Sequence, residues 1–106
     1  MKSLRYHILL ALADEPLHGA EIRRRAEEES GGAVTLYPAT LYGTLDGMQE
    51  AGWIREVERE SAGADQARWR FYALTPVGRA ALEAETDRLE SVVGRARALL
   101  GGGAGG

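Results

Sequence analysis

The sequence predicts a mainly α-helical domain with a small β-hairpin, in the order helix, helix, helix, hairpin, helix. Three observations carry that prediction. Between Pro38 and Gly52, residues Leu41, Leu45 and Met48 recur at helical spacing, with proline where a helix opens and glycine where one closes. After Trp53 the period falls to two on both sides of a small, polar loop. Thr75-Pro76 then opens a stretch whose apolar residues form one stripe as far as Leu100.

Taken in order, Ser3 to Ala13 reads as the first helix. Leu4, Ile8, Leu9 and Leu12 share a face, and Ser3 is placed to cap it. Pro16 restricts Glu15 and ends that helix, leaving Leu17-His18-Gly19 as a turn. Ala20 to Glu29 is the second helix, with Ile22 and Ala26 inward and Gly31-Gly32 as its stop. Val34 to Leu36 has the character of one short strand. The third helix runs from Pro38 to Ala51. Its inner edge is Leu41, Leu45 and Met48, and its outer edge, Ala39, Gly43 and Gly47, is nearly bare of side chain. Trp53 to Glu60 and Arg68 to Leu74 form the hairpin around residues 61–67. A symmetric loop sets Ile54 opposite Leu74, Val57 opposite Phe71, Arg59 opposite Trp69, Glu58 opposite Arg70 and Glu60 opposite Arg68. The fourth helix carries Leu82, Leu89, Val92, Val93, Ala96, Leu99 and Leu100. Three helices followed by a two-stranded wing make a winged helix-turn-helix. Residues 1–75 are assigned to it, 76–100 to a long dimerisation helix, and 101–106 to a disordered glycine-rich tail.

Composition narrows the function classes. The chain has 106 residues, enough for one small domain with a modest core. No cysteine is present, which excludes a disulfide framework and a thiolate metal site. His7 and His18 lack a third credible ligand, so no metal and no cofactor is expected. Neither a nucleophile triad nor a paired-carboxylate arrangement stands out, and no glycine-rich phosphate loop follows a strand; an enzyme is not expected. No apolar run is long enough to span a membrane and no signal-peptide pattern is seen, so the expected location is cytoplasmic. The net charge is −3, with 7 basic and 11 acidic residues in 1–60 against 6 and 5 in 61–106. That balance excludes a basic, non-specific nucleic-acid coat while leaving room for a specific contact face.

Several stretches together resemble the PadR-type transcriptional regulators. They are Ile8-Leu9-Leu10-Ala11-Leu12, Leu17-His18-Gly19 with Glu21-Ile22, Thr40-Leu41-Tyr42, Glu50-Ala51-Gly52-Trp53-Ile54, Arg70-Phe71-Tyr72-Ala73-Leu74-Thr75 and Gly78-Arg79 with Ala81-Leu82. They occur in the family's order over roughly residues 4 to 82. The resemblance implies a homodimeric repressor that binds double-stranded DNA at a roughly palindromic operator, paired through the last helix and released by a small-molecule effector. Tyr37, Ala20, and the trio Asp46, Gly47 and Met48 depart from the family's usual small cap, aromatic and basic residues.

On this reading the DNA-contacting residues are Tyr37, Ala39, Thr40, Tyr42, Gly43 and Thr44 on the third helix, His18 at the second, and Arg68 and Arg70 on the wing. Several have a structural alternative. Tyr42 would pack on the hairpin, His18 would be a local cap, and Arg68 and Arg70 would pair with Glu60 and Glu58. Arg23-Arg24-Arg25 is followed at helical spacing by Glu27-Glu28-Glu29, which favours pairing within the helix over a basic patch. A last helix of roughly 25 residues is about 37 Å long, more than a body of this size covers, and a second copy is the simplest partner. The rival to DNA binding is a winged-helix module for protein–protein interaction, favoured by the acidity of Asp46 and Glu50.

Overall fold

In the computed structural model, which describes residues 1–58 and 70–102, local signals along the chain set most element ends. Helix α1 spans Ser3–Ala11 and packs Ile8, Leu9 and Ala11 into the core. It is shorter than the expected Ser3–Ala13, and Ser3 is its first helical residue rather than its cap; Lys2 holds the cap position with no side-chain hydrogen bond. Helix α2 (Gly19–Glu29) buries Ile22 and Ala26. Helix α3 (Pro38–Glu50) buries Leu41, Leu45 and Met48, the edge its spacing predicted. Both α2 and α3 end in the same way. The Gly32 N–H reaches back to the Glu27 carbonyl and the Trp53 N–H to the Met48 carbonyl, turned there by left-handed Gly31 (φ 64°) and Gly52 (φ 79°).

The wing strands are β2 (Ile54–Val57) and β3 (Phe71–Leu74), with Ile54 opposite Leu74 and Val57 opposite Phe71 as expected. The expected pairs Arg59–Trp69 and Glu60–Arg68 lie outside the described residues. Two expectations need correction. Leu17–His18 is strand β1 rather than a turn, and it pairs antiparallel with the free edge of β3, giving a three-stranded sheet in the order β1-β3-β2. Pairing with Phe71 and Tyr72 gives the short segment backbone partners that a turn would not need. Val34 to Leu36 is not a strand. Its N–H groups are taken by side chains of α2 and the turn after it: Val34 donates to Ser30 Oγ (3.0 Å) and Leu36 to Glu27 Oε2 (2.9 Å). Leu36 itself is fully buried.

Helix α4 runs over Pro76–Arg97 and continues as a wider π turn over Ala98–Gly102. Thr75 caps it, accepting from the Gly78 N–H at 3.0 Å, and the Thr75 hydroxyl donates to the Gly52 carbonyl. Gly101 and Gly102 belong to that last turn, so the expected disordered tail does not begin at 101; residues 103–106 lie outside the described residues. One core gathers Ile8, Leu9, Leu12, Leu17, Ile22, Leu36, Leu41, Leu45, Met48, Ile54, Tyr72 and Leu82. Tyr6 ties α1 to α4 through a 2.9 Å hydrogen bond between its hydroxyl and that of Thr86.

Candidate nucleic-acid interface

The inner edge of α3 is fixed by the core, so its other side must face outward. The chain enters that helix through Leu36, whose N–H is held by Glu27 and whose side chain is buried, and this sets where Tyr37 and Pro38 lie. Tyr37 is the cap residue, makes no capping hydrogen bond and is 68% exposed. Ala39, Thr40 and Gly43 are exposed, and Thr44 is half-buried. A Cβ built on Gly43 would meet no atom within 4 Å, so this part of the helix lies open. Gly47, expected on the same bare edge, is instead covered: Arg5 Nη2 lies 3.0 Å from where its Cβ would be.

Tyr42 is 41% exposed. Its ring lies over Gly19 at the start of α2, with its Oη 2.6 Å from where a Gly19 Cβ would be. Glycine there leaves room for the tyrosine's outer end beside the α2 backbone. His18 is the side-chain cap of α2: the Glu21 N–H points at its Nδ1 (3.4 Å), and its ring meets Phe71 edge-on at 5.4 Å. The capping alternative for His18 is therefore the geometry present.

Arg70 is half-exposed and does not pair with Glu58 as the simple register proposed. Its guanidinium is bonded to Glu56 on β2, comes within 3.9 Å of Asp46 on α3, and sits 5.5 Å from the centre of the Tyr72 ring. The register explains the change. Glu56 stands opposite Tyr72, two residues from Arg70, and so shares its face of the sheet. Glu56 holds the Arg70 guanidinium above the usual arginine range. Arg68 lies outside the described residues. The arginines of α2 pair with carboxylates: Arg23 with Glu27, Arg24 with Glu21 and Glu28, and Arg25 with Glu15 and Glu21. Hydrogen bonding from Arg24 holds the Glu21 carboxyl below the usual range.

Between α2 and α3 lies an open hollow of about 440 Å³ lined by Ala20, Arg23, Arg24, Glu27, Pro38, Leu41 and Tyr42. Sequence reasoning missed Arg5. Among the described residues it has no carboxylate partner, and it lies against Gly47 and 5.6 Å from the centre of the Trp53 ring. The signal in the sequence was the missing side chain at position 47, which leaves room for a neighbour from α1. No group of three or more potential metal ligands occurs among the described residues. No helix there is long and apolar enough to cross a membrane.

Three helices, the strand pair β2 and β3 that follows α3, and β1 as a third strand on the free edge of β3 define a winged helix-turn-helix protein. Comparison with known proteins gives its family. Residues 8–84 match the model of the "Transcriptional regulator PadR-like family". Transcriptional regulator Rv3488 of Mycobacterium tuberculosis is 38% identical over 100 residues, covering 94% of this chain and 85% of that protein. An uncharacterized 37.1 kDa protein in transposon TN4556 of Streptomyces fradiae is also 38% identical, over 88 residues. The match takes in 83% of this chain but only 23% of that longer protein. Among solved structures, Bacillus subtilis PadR in complex with operator DNA superimposes with a TM-score of 0.67 at 26% identity, over 81% of this chain and 46% of that one. A PadR family regulator from Clostridium difficile R20291 gives a TM-score of 0.78 at 20% identity, over 94% of this chain and 100% of that one, a likeness of fold. This chain belongs to the PadR-like family of transcriptional regulators, which is not a family of enzymes.

Proposed function

We propose that this regulator is a homodimeric repressor that binds a roughly palindromic DNA site by setting α3 of each copy in the major groove. The observation that carries the reading is the outer side of α3: Ala39 and Gly43 lie open, flanked by Tyr37, Thr40 and Tyr42, with the opposite edge locked into the core. A helix bare on its outer side can approach a groove closely, and flanking hydroxyls can donate to phosphates or base edges. That a relative was solved with operator DNA supports DNA binding. Two recognition helices related by a two-fold axis read half-sites about 34 Å apart, or a multiple of it.

Pairing falls to α4. Leu82 is only 7% exposed and serves its own core, and Leu89 is half-buried, so the surface left for a second copy is Val92, Val93, Leu99 and Leu100 with Ala96 between them. A small-molecule effector would act by favouring one spacing of the two α3 helices over the other; this part rests on the family resemblance. Protein binding without DNA is the second reading, favoured by the exposed carboxylates Asp46 and Glu50 on the outward side of α3. Titration of labelled duplexes spanning the protein's own promoter, at several salt concentrations, separates the two. DNA binding predicts a specific shift whose log affinity falls linearly with log salt. No specific shift at low salt leaves the interaction module.

A further inference from the structure

Resting on the DNA-binding reading above, we propose that Arg70 is a phosphate contact held in check by two carboxylates of its own chain, Glu56 and Asp46. This clamp, rather than the charge of α3 alone, then sets the affinity for DNA. Arg70 stands where the wing meets α3: Glu56 reaches it from β2 and Asp46 from the helix. Among the described residues, the corner therefore carries one cation against two anions. As long as Arg70 faces inward to them, it presents no free positive charge to a phosphate approaching α3. All three side chains are about half exposed or more, 49% for Arg70, 44% for Glu56 and 66% for Asp46, so the pairs are screened and exchangeable rather than locked. A duplex phosphate is a competitor of the right kind, since arginine binds it bidentately and binding releases counterions.

The ground beneath the clamp is unsatisfied. Tyr72 is fully buried under the Arg70 guanidinium, and its hydroxyl has no hydrogen-bond partner among the described residues. Asp46, Glu56 and Tyr42 are close enough to act on its titration. A buried donor left unpaired is unfavourable. When Arg70 turns to a phosphate, a released carboxylate gains freedom to accept from that hydroxyl, which favours the DNA-bound arrangement. Arg5, on the opposite flank of α3 and without a carboxylate among the described residues, is the unclamped counterpart.

A double-mutant cycle on the full chain tests this, with labelled duplexes from its own promoter and a random-sequence 30-bp duplex as probes between 50 and 200 mM KCl. Arg70→Gln is expected to weaken binding and to reduce the slope of log affinity against log salt by about 0.9, one phosphate contact. Glu56→Gln and Asp46→Asn are each expected to tighten binding by about three- to tenfold. In the Arg70→Gln background the Glu56→Gln gain should vanish and the Asp46→Asn gain should fall at least by half on a logarithmic scale, the remainder being direct relief of repulsion. Equal gains in both backgrounds would mean that the carboxylates act only through space and would overturn the clamp. Weaker binding by Glu56→Gln or Asp46→Asn would show that they position Arg70 instead, and would overturn it too. Melting curves identify any variant that has lost its fold, and Arg70→Lys, which keeps the charge, should retain the salt slope. If the wild-type chain shifts neither probe, the DNA-binding reading itself fails; if it shifts them and the cycle is additive, only the clamp fails.

Discussion

Tyr72 concentrates the residue-scale physics of this protein. Its ring completes the core while its hydroxyl is buried with no hydrogen-bond partner among the described residues, and burial pushes its pKa above the ordinary tyrosine value. An unsatisfied buried hydroxyl costs on the order of 1–3 kcal/mol, and phenylalanine keeps the ring. Tyr72→Phe is therefore expected to hold or raise the melting temperature, measured by circular dichroism at neutral pH. The sign on the alkaline side follows from the raised pKa. Below the unfolded value near 10 the native and unfolded chains hold the same proton; above it the native state keeps a proton that the unfolded chain releases, so stability falls as pH climbs through the folded pKa. Tyr72→Phe should lose less stability than the wild-type chain as pH rises above about 10. A variant with the same alkaline slope as wild type would mean the hydroxyl is hydrated. Tyr42 works differently: it lies on the surface across Gly19. Tyr42→Ala should weaken DNA binding while moving the melting temperature by only a few degrees; a collapse in melting would assign it to packing.

At the scale of elements, what positions α3 is a set of crossings where backbone meets backbone. Gly78 is the tightest. A Cβ there would sit 2.0 Å from the Trp53 carbonyl oxygen and 2.9 Å from Leu74 Cδ1. The start of α4 thus presses directly on the segment joining α3 to the wing, and the Thr75 N–H donates to the same Trp53 carbonyl at 3.0 Å. Backbone cannot yield as a flexible side chain can, so Gly78→Ala is expected to destabilise the fold by about 1–3 kcal/mol, seen as a lower midpoint in urea with an unchanged slope. Unaltered stability would show that α4 can slide along the sheet. In the corresponding substitution at Gly19 the nearest atoms belong to the outer end of the Tyr42 side chain rather than to backbone, so its cost should be smaller and its effect should appear in DNA binding.

For the whole molecule, the decisive feature is the end of α4. Leu99 and Leu100 are 73% and 82% exposed, Val92 and Val93 are about half exposed, and an open hollow of about 660 Å³ runs along Val93, Ala96, Arg97, Ala98, Leu100 and Gly101. Contiguous apolar surface on a small protein marks an interaction site. Val93→Glu combined with Leu100→Glu should convert a dimer to a monomer by analytical ultracentrifugation, with secondary structure retained because neither side chain belongs to the core. The monomer should then lose cooperative binding to a two-half-site duplex. A variant that stays dimeric would move the pairing surface elsewhere. Farther up the helix, Glu85 is bound to Arg88, which holds its carboxyl below the usual range. Its contribution to stability is present above the unfolded carboxyl pKa and is lost as pH falls through the folded value.

Local chemistry wrote most of the element plan into the sequence. Proline 38, Gly52 and Thr75-Pro76 mark helix ends by their own backbone and hydroxyl properties, the spacing of Leu41, Leu45 and Met48 fixes an inner face, and the alternation around the loop fixes the pairing of Ile54 with Leu74. Tertiary structure alone decided the rest: that Leu17–His18 is a strand, that Leu36 is buried coil, that Arg5 covers Gly47, that Tyr42 lies on Gly19, and that Arg70 binds Glu56 and Asp46. The physical reason is range. Caps and periodicities act between residues a few positions apart, whereas these contacts join groups far apart in the chain, and their partners exist only once the helices and sheet have crossed.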